Sequence, residues 1–379
     1  MPQTDELLLD DLDALSAADP GEMLPATATA GAQLRRGLAG IDEAAMARAS
    51  ADGRPRGLVV AGMGGSGISG DVLAAVAGAG CPIPLQVVKS HTLPGWVGPL
   101  DVVVAVSCSG TTQETLSLAA EATRRGARVV GIGSAGSPLE QLVESGGGVY
   151  LTVDALGLMP RAALWTLATP LLLLGAALDV VSLGPGVLQA AADALDEVST
   201  ASGPVVLVAD NRAKTLGLAL AESLPVVWGT SPVAAVAAYR AACQLNENAK
   251  LPCTFGGFSE VNHNQVVAFD GPYGVRAPVD DVFRDPIEDG SPMPRLRLVM
   301  LRDAEEHPQD VQRADASIAL ADERSIPVDV VTARAGHPLV RLASLVGLVD
   351  WVSVYAALAL GIDPSPIGPI IELKDRITD

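Results

Sequence analysis

Residues 58–71 read LVVAGMGGSGISGD, and residues 101–112 read DVVVAVSCSGTT. Each is an unbroken apolar run of strand length that ends in a Gly- or Ser-rich turn and passes into a helical pattern. Further runs follow: LQVV (85–88), ARVVGIGS (127–134) and GVYLTV (148–153). Strands alternating with helices, apolar on both faces, predict a parallel sheet covered on both sides. A long apolar helix is expected from about Pro160 to Val181, broken by Gly184-Pro185-Gly186. The alternation then resumes with PVVLVAD (204–210), PVVWGT (225–230), RLRLVMLRD (295–303) and PVDVVTA (327–333). The fold class is therefore α/β, with two tandem domains, each a parallel sheet flanked by helices, and with helical N- and C-terminal extensions.

The expected boundaries are an N-terminal helical segment (1–50), a first domain (51–182), a connecting helix (183–203) and a second domain (204–350). A C-terminal helix and tail (351–379) complete the chain. At 379 residues two domains are the default. Residues 271–294 are rich in Pro, Gly and Asp and read as an insert, longer than compact domains usually carry without purpose.

Composition narrows the function classes. Half the chain is apolar but only 3% is aromatic, so the core must be Ala, Val and Leu. The formal charge of -19 disfavours nucleic acid and anionic membrane surfaces as partners. Cys81, Cys108, Cys243 and Cys253 form no CxxC pair, and His91, His263, His307 and His337 show no ligand spacing. Reduced thiols and the absence of a zinc site are expected. The acidic N-terminus lacks the features of a signal peptide, which points to the cytoplasm. Ala162–Leu178 is uncharged, but Pro170 in its middle favours a buried helix over a membrane span.

Two loops carry binding chemistry. Gly62–Gly67 matches GxGxxG, yet a dinucleotide site would want an acid at the end of the second strand, where Lys89-Ser90 stand. A tight turn and a phosphate cradle both remain open for it. Ser107–Thr112 sets four hydroxyls in six residues at a helix start, with Thr111 and Glu114 spaced as a capping box. Free N–H groups, the helix dipole and hydroxyl donors converge there, which suits a phosphate monoester. A GKS/T lysine is missing, which argues against a nucleoside triphosphate.

A third region, Arg240–Phe269, sets Glu247 between Asn246 and Asn248, and His263 between Asn262 and Asn264. A carboxylate in the last turn of a helix opposes the dipole by roughly 0.3–1 kcal/mol. Either it is an exposed residue relieved by Lys250, or it is kept for chemistry. Moving a proton between adjacent carbons of an aldose phosphate needs one such base, and a cation for the enediolate.

The chain resembles the SIS (sugar isomerase) superfamily, and within it the bifunctional phosphoglucose/phosphomannose isomerases. The resemblance lies in GMGGSGISGD (62–71), SxSGxTxET (107–115), MPRAAL (159–164), QLNENAK (244–250), EVNHNQVVAF (260–269) and the segment from Tyr355 to Lys374. It implies SIS-type domains and a metal-independent, cofactor-free interconversion of fructose 6-phosphate with glucose 6-phosphate, mannose 6-phosphate or both. By the same resemblance Ser66, Ser107, Ser109 and Thr112 hold the phosphate, with Gly65 admitting the backbone. Glu247 would be the base, Arg161 would stabilise the enediolate, His263 would serve ring opening from the other subunit of a homodimer, and Lys374 would assist it. Cys108, Thr111 and Met159 stand where the family commonly has an aromatic, Asn and Gln, positions that bear on epimer preference. The alternative is a regulatory sugar-phosphate-binding SIS protein, though the acidic first 50 residues offer no DNA-binding helix-turn-helix.

Overall fold

In the computed structural model, residues 4–275 and 295–378 are described. Most of the insert expected at 271–294 lies outside them. The chain divides into two compact units, one of Thr29–Asp196 with Gly336–Ala343, the other of Met1–Ala28, Glu197–Ala335 and Ser344–Asp379. The short helices α1 (Leu12–Ala18) and α2 (Met23–Ala28) that open the chain belong to the second.

The first unit begins with α3 (Ala30–Ala39) and α4 (Glu43–Ser50). It is built on strands β1 (Leu58–Ala61), β2 (Leu85–Val88), β3 (Val102–Ser107), β4 (Arg128–Gly133) and β5 (Val149–Thr152). All pair in parallel, in the order β2-β1-β3-β4-β5. Every residue of β1 and β3 is buried, the mark of central strands with helices on both faces. Those helices are α5 (Gly64–Ala77), α6 (Gln113–Arg124), α7 (Pro138–Ser145) and α8 (Leu164–Ala177).

Small residues set the packing distance. A Cβ on Gly70 of α5 would come within 2.9 Å of Val60 on β1 and 3.0 Å of Val87 on β2. The glycine-rich helix therefore lies closer to the sheet than any side chain would allow. Helix α8 is shorter than the expected 160–181, because Met159–Ala163 forms turns and Asp179 turns left-handed (φ 56°) just beyond the helix. Pro170 sits inside it, buried.

After α9 (Val187–Ser202), residues 204–210 form no strand; the expectation fails there. Val205 and Leu207 are exposed, a short 3-10 turn occupies Val208–Asp210, and the Val208 N–H is capped by the Asp10 carboxylate (2.8 Å). An apolar run becomes a strand only where a neighbouring strand takes up its backbone groups.

The second sheet consists of β6 (Ser223–Gly229), β7 (Thr254–Gly257), β8 (Arg295–Arg302) and β9 (Val328–Thr332). It too is wholly parallel, in the order β7-β6-β8-β9. This repeats the first four positions of the other sheet. Strand β7, short and half exposed, has no apolar run to announce it. Helices α10 (Arg212–Ala221), α11 (Pro232–Gln244) and α12 (Pro308–Glu323) accompany the sheet. Ser231 caps α11 as its type suggests, accepting from the Ala234 N–H at 3.1 Å. Helix α13 (Pro338–Ala359) is long and apolar enough to span a bilayer, yet 89% of its most apolar window is buried inside the protein. The tail beyond it contains a further helix, α14 (Gly368–Thr378).

Helices α11 and α13 are joined by a buried ion pair. Arg240 Nε donates to one Asp350 oxygen at 2.8 Å and a terminal nitrogen donates to the other at 3.1 Å. Burial pushes the Asp350 carboxyl up, and the guanidinium opposes it. Arg240→Met, which strands a buried carboxylate, is expected to cost about 3–5 kcal/mol in denaturant unfolding. The double variant with Asp350→Leu should regain most of that loss.

Candidate functional site

The order β2-β1-β3-β4-β5 reverses direction between β1 and β3. In open parallel sheets the loops leaving such a pair diverge and open a crevice at the carboxyl ends of the strands. Both loops singled out in the sequence lie there. Helix α5 starts at Gly64 and its N-cap Met63 offers no side-chain acceptor. Gly64 has φ 52°, and a Cβ on Gly65 would stand 2.9 Å from the Pro160 carbonyl oxygen and 3.8 Å from the Arg161 Cα. Only glycine allows the 159–161 turn to close over this loop.

The second loop is organised by its own hydroxyls. Those of Ser107 and Thr112 share a hydrogen bond (2.9 Å), as do those of Ser109 and Thr111 (2.9 Å). Gly110 N–H donates to Ser107 Oγ at 3.0 Å, and Cys108 N–H donates to Ser66 Oγ at 3.3 Å, tying the two loops together. The expected Thr111–Glu114 capping box does not form. Helix α6 starts one residue later, with Thr112 as N-cap and no side-chain cap. Its first turn thus presents peptide dipoles towards the crevice, the arrangement that binds phosphate. Ser107 is buried, Thr112 half-buried and Ser109 exposed, a gradient from anchor to mouth. Arg161 is buried in the turn before α8.

Sequence reasoning missed the residues behind these loops. Ser134, after β4, donates to the Cys108 carbonyl at 2.6 Å, and the Tyr150 hydroxyl donates to the Ser134 carbonyl at 3.0 Å. Burial pushes the Tyr150 hydroxyl up to about 12, so it stays a donor. The serines of GSAGS (133–137) were a usable signal. Lys89, at the end of β2, was read only as the wrong residue for a dinucleotide; it pairs with Asp71, and its side chain lies against Gly67.

Glu247, His263 and Lys374 belong to the other unit. Helix α11 widens at its end into a π-helical turn, Leu245–Ala249, that carries Glu247 half-buried. Its two neighbours differ: Asn246 is exposed, while Asn248 is buried with its amide donating to Ser353 Oγ at 2.9 Å. His263 ends a 3-10 turn, exposed, and both its neighbours are occupied. Asn262 donates to Ser317 Oγ (2.8 Å) and Asn264 to Glu260 (2.6 Å). Among the described residues neither the Glu247 carboxylate nor the His263 imidazole is engaged by a protein partner. Lys374 lies on α14 with Ile370, Ile371, Leu373 and Ile377, all exposed. No group of three His, Cys, Asp or Glu side chains among the described residues is placed to hold a metal ion.

The second sheet has the same reversal, between β6 and β8, but there the chain fills its own cradle. Glu306 accepts from the Thr230 hydroxyl, the Asp303 N–H (3.1 Å) and the Arg302 guanidinium (2.6 Å), and Ser231 donates to Asp303 at 2.7 Å. This carboxylate stands in the loop after β8, the counterpart of the hydroxyl-lined loop after β3. Burial raises the Glu306 carboxyl, but Arg302 and Thr230 outweigh it and hold it below the usual range.

Two parallel-sheet units, one with an open hydroxyl-lined cradle at its reversal, define a SIS-type protein of phosphosugar chemistry. The structure matches tagatose-6-phosphate ketose/aldose isomerase from Escherichia coli with a TM-score of 0.64 at 14% identity, covering 91% of this chain and 96% of that one. The family model for the bacterial phospho-glucose isomerase C-terminal SIS domain matches residues 209–377. A bifunctional phosphoglucose/phosphomannose isomerase from Caldicellulosiruptor bescii is 32% identical over 85% of this chain and 89% of its own length. One from Aquifex aeolicus is 29% identical over 85% and 90%. The chain belongs to the bifunctional phosphoglucose/phosphomannose isomerase family.

Because Glu306 is held low, its contribution to stability is complete above its unfolded value and is lost as pH falls through its folded one. Glu306→Gln should cost about 1–3 kcal/mol at neutral pH and flatten the acid limb of a melting-temperature profile. A variant whose acid limb is as steep as the parent's would contradict this role.

Proposed function

We propose that this chain is an aldose-ketose isomerase that interconverts fructose 6-phosphate with glucose 6-phosphate, mannose 6-phosphate or both through a cis-enediol. Two separate observations carry the reading: the first unit sets the hydroxyl-lined loop at the β1/β3 reversal against uncapped helix starts, and in the second unit the Glu247 carboxylate has no partner among the described residues. The names of the curated relatives support the same substrates.

In this reading Ser66, Ser107, Ser109 and Thr112 hold the phosphate, with the uncapped first turns of α5 and α6, and Gly65 lets the main chain approach. The grip is local, as it must be on a chain of charge -19, which gives an anionic substrate no long-range attraction. Glu247 removes the proton from C2 and returns it to C1. The developing enediolate is balanced by the Arg161 guanidinium, whose burial strengthens the interaction. His263 and Lys374 serve ring opening. The exposure of His263 and of the apolar residues around Lys374 supports a homodimer in which a second copy completes the site. No metal or organic cofactor has a part in this scheme. Cytoplasmic location, and the absence of nucleic acid or membrane partners, remain part of the proposal on the grounds of charge and composition.

Coupled assays on glucose 6-phosphate and mannose 6-phosphate should both be tried on one preparation, with and without chelator. Glu247→Gln is expected to lower kcat by about 10³-fold or more while substrate binding survives. A fully active Glu247→Gln, or activity lost on chelation, would contradict the mechanism. Ser109→Ala should raise KM for the phosphorylated substrate by about 10-fold with kcat little changed.

A further inference from the structure

We propose that Lys250 is a positioning residue for Glu247, acting through the main chain rather than on the substrate. The assignment rests on the reading of Glu247 as the base. A π turn leaves carbonyl groups without their helical N–H partners, and the turn Leu245–Ala249 sits at a helix end, where acceptors are already in surplus. Lys250 closes it. Its backbone is left-handed (φ 56°), at a position where helices usually place glycine. The ammonium folds back and donates to the carbonyls of Glu247 (3.1 Å) and Asn248 (3.0 Å). It also reaches the carbonyls of Asp363 (3.1 Å) and Pro364 (3.4 Å) in the segment after α13.

A cation that served only to neutralise a helix end would need no such collection of acceptors. This one binds the main-chain oxygen of the proposed base to a second segment of chain. On the other side Asn248 is held by Ser353, whose hydroxyl donates to the Asp350 carbonyl at 2.7 Å. Glu247 is thus held at its own carbonyl by Lys250 and through the anchored side chain of the next residue, Asn248, while its carboxylate has no partner among the described residues. Among the described residues, the backbone is what aims that carboxylate. A proton shuttled between adjacent carbons is sensitive to such aim, since displacements near 1 Å cost about 100-fold in rate.

The left-handed backbone offers a clean test. Lys250→Gly keeps that conformation without strain and removes the side chain with its ammonium. We expect kcat to fall about 10- to 100-fold, with KM for fructose 6-phosphate within about 2-fold, because the phosphate is held elsewhere. The primary isotope effect on glucose 6-phosphate deuterated at C2 should grow as proton transfer becomes rate-limiting, which a loss of folded protein would not produce. Ser353→Ala, which releases Asn248, should give the same signature at about 3- to 10-fold, and it decides the matter if the glycine variant fails to fold. Folded variants with kcat within about 2-fold of the parent, or with an unchanged isotope effect, would overturn the assignment. With Glu247→Gln measured alongside, an inactive Glu247→Gln beside a normal Lys250→Gly rejects only the role of Lys250. An active Glu247→Gln rejects the base and this assignment together.

Discussion

Parallel pairing of β1 with β3 is the constraint from which the rest of the first unit follows. Strands that run the same way deliver their loops to the same edge, and helices that leave on opposite faces part there. The first turns of α5 and α6 therefore converge on one crevice, and neither has a side-chain cap. Everything nearby serves that closeness: buried valines in the strands, glycines where α5 meets the sheet, and the Ser66–Cys108 hydrogen bond between the loops. Substituents at Gly65 or Gly70 would push the elements apart.

The second sheet shows how the same topology can be put to a different use. Its reversal between β6 and β8 again gathers a helix start, two hydroxyls and an arginine. Here Glu306 occupies the loop, and Arg302 with Thr230 satisfies it. An internal carboxylate serves as permanent counter-charge and the crevice is structural. The proposed base of this unit lies instead at the end of α11, where a π turn replaces an ordinary helix terminus. Such a turn exposes main-chain acceptors, and the Lys250 ammonium donates to two of them.

Local pattern and tertiary structure contributed differently to the account. The strands of the first sheet were legible as apolar runs because central parallel strands are buried on both faces, so every residue in them reports its environment. The hydroxyl clusters and the glycine spacings were legible because few other roles need those residue types at a strand-to-helix turn. The same pattern misled at 204–210, where valines and leucine lie against no strand and remain exposed. It was silent on β7 and on α14, whose side chains are too mixed or too exposed to carry a period.

By itself, the sequence determined the α/β class, the doubling of the sheet, the Gly- and Ser-rich loops at the ends of β1 and β3, and the resemblance that singled out Glu247, His263 and Arg161. These are properties of residues close together in the chain, and local sterics and periodicity record them. Tertiary structure alone decided which reversal stays open and which is filled, that Thr111 bonds to Ser109 rather than caps a helix, and that Lys250 clamps the turn bearing Glu247. Each depends on a hydrogen bond whose partner is chosen by packing, and a hydroxyl or ammonium in a sequence does not say which of several acceptors the fold will bring to it.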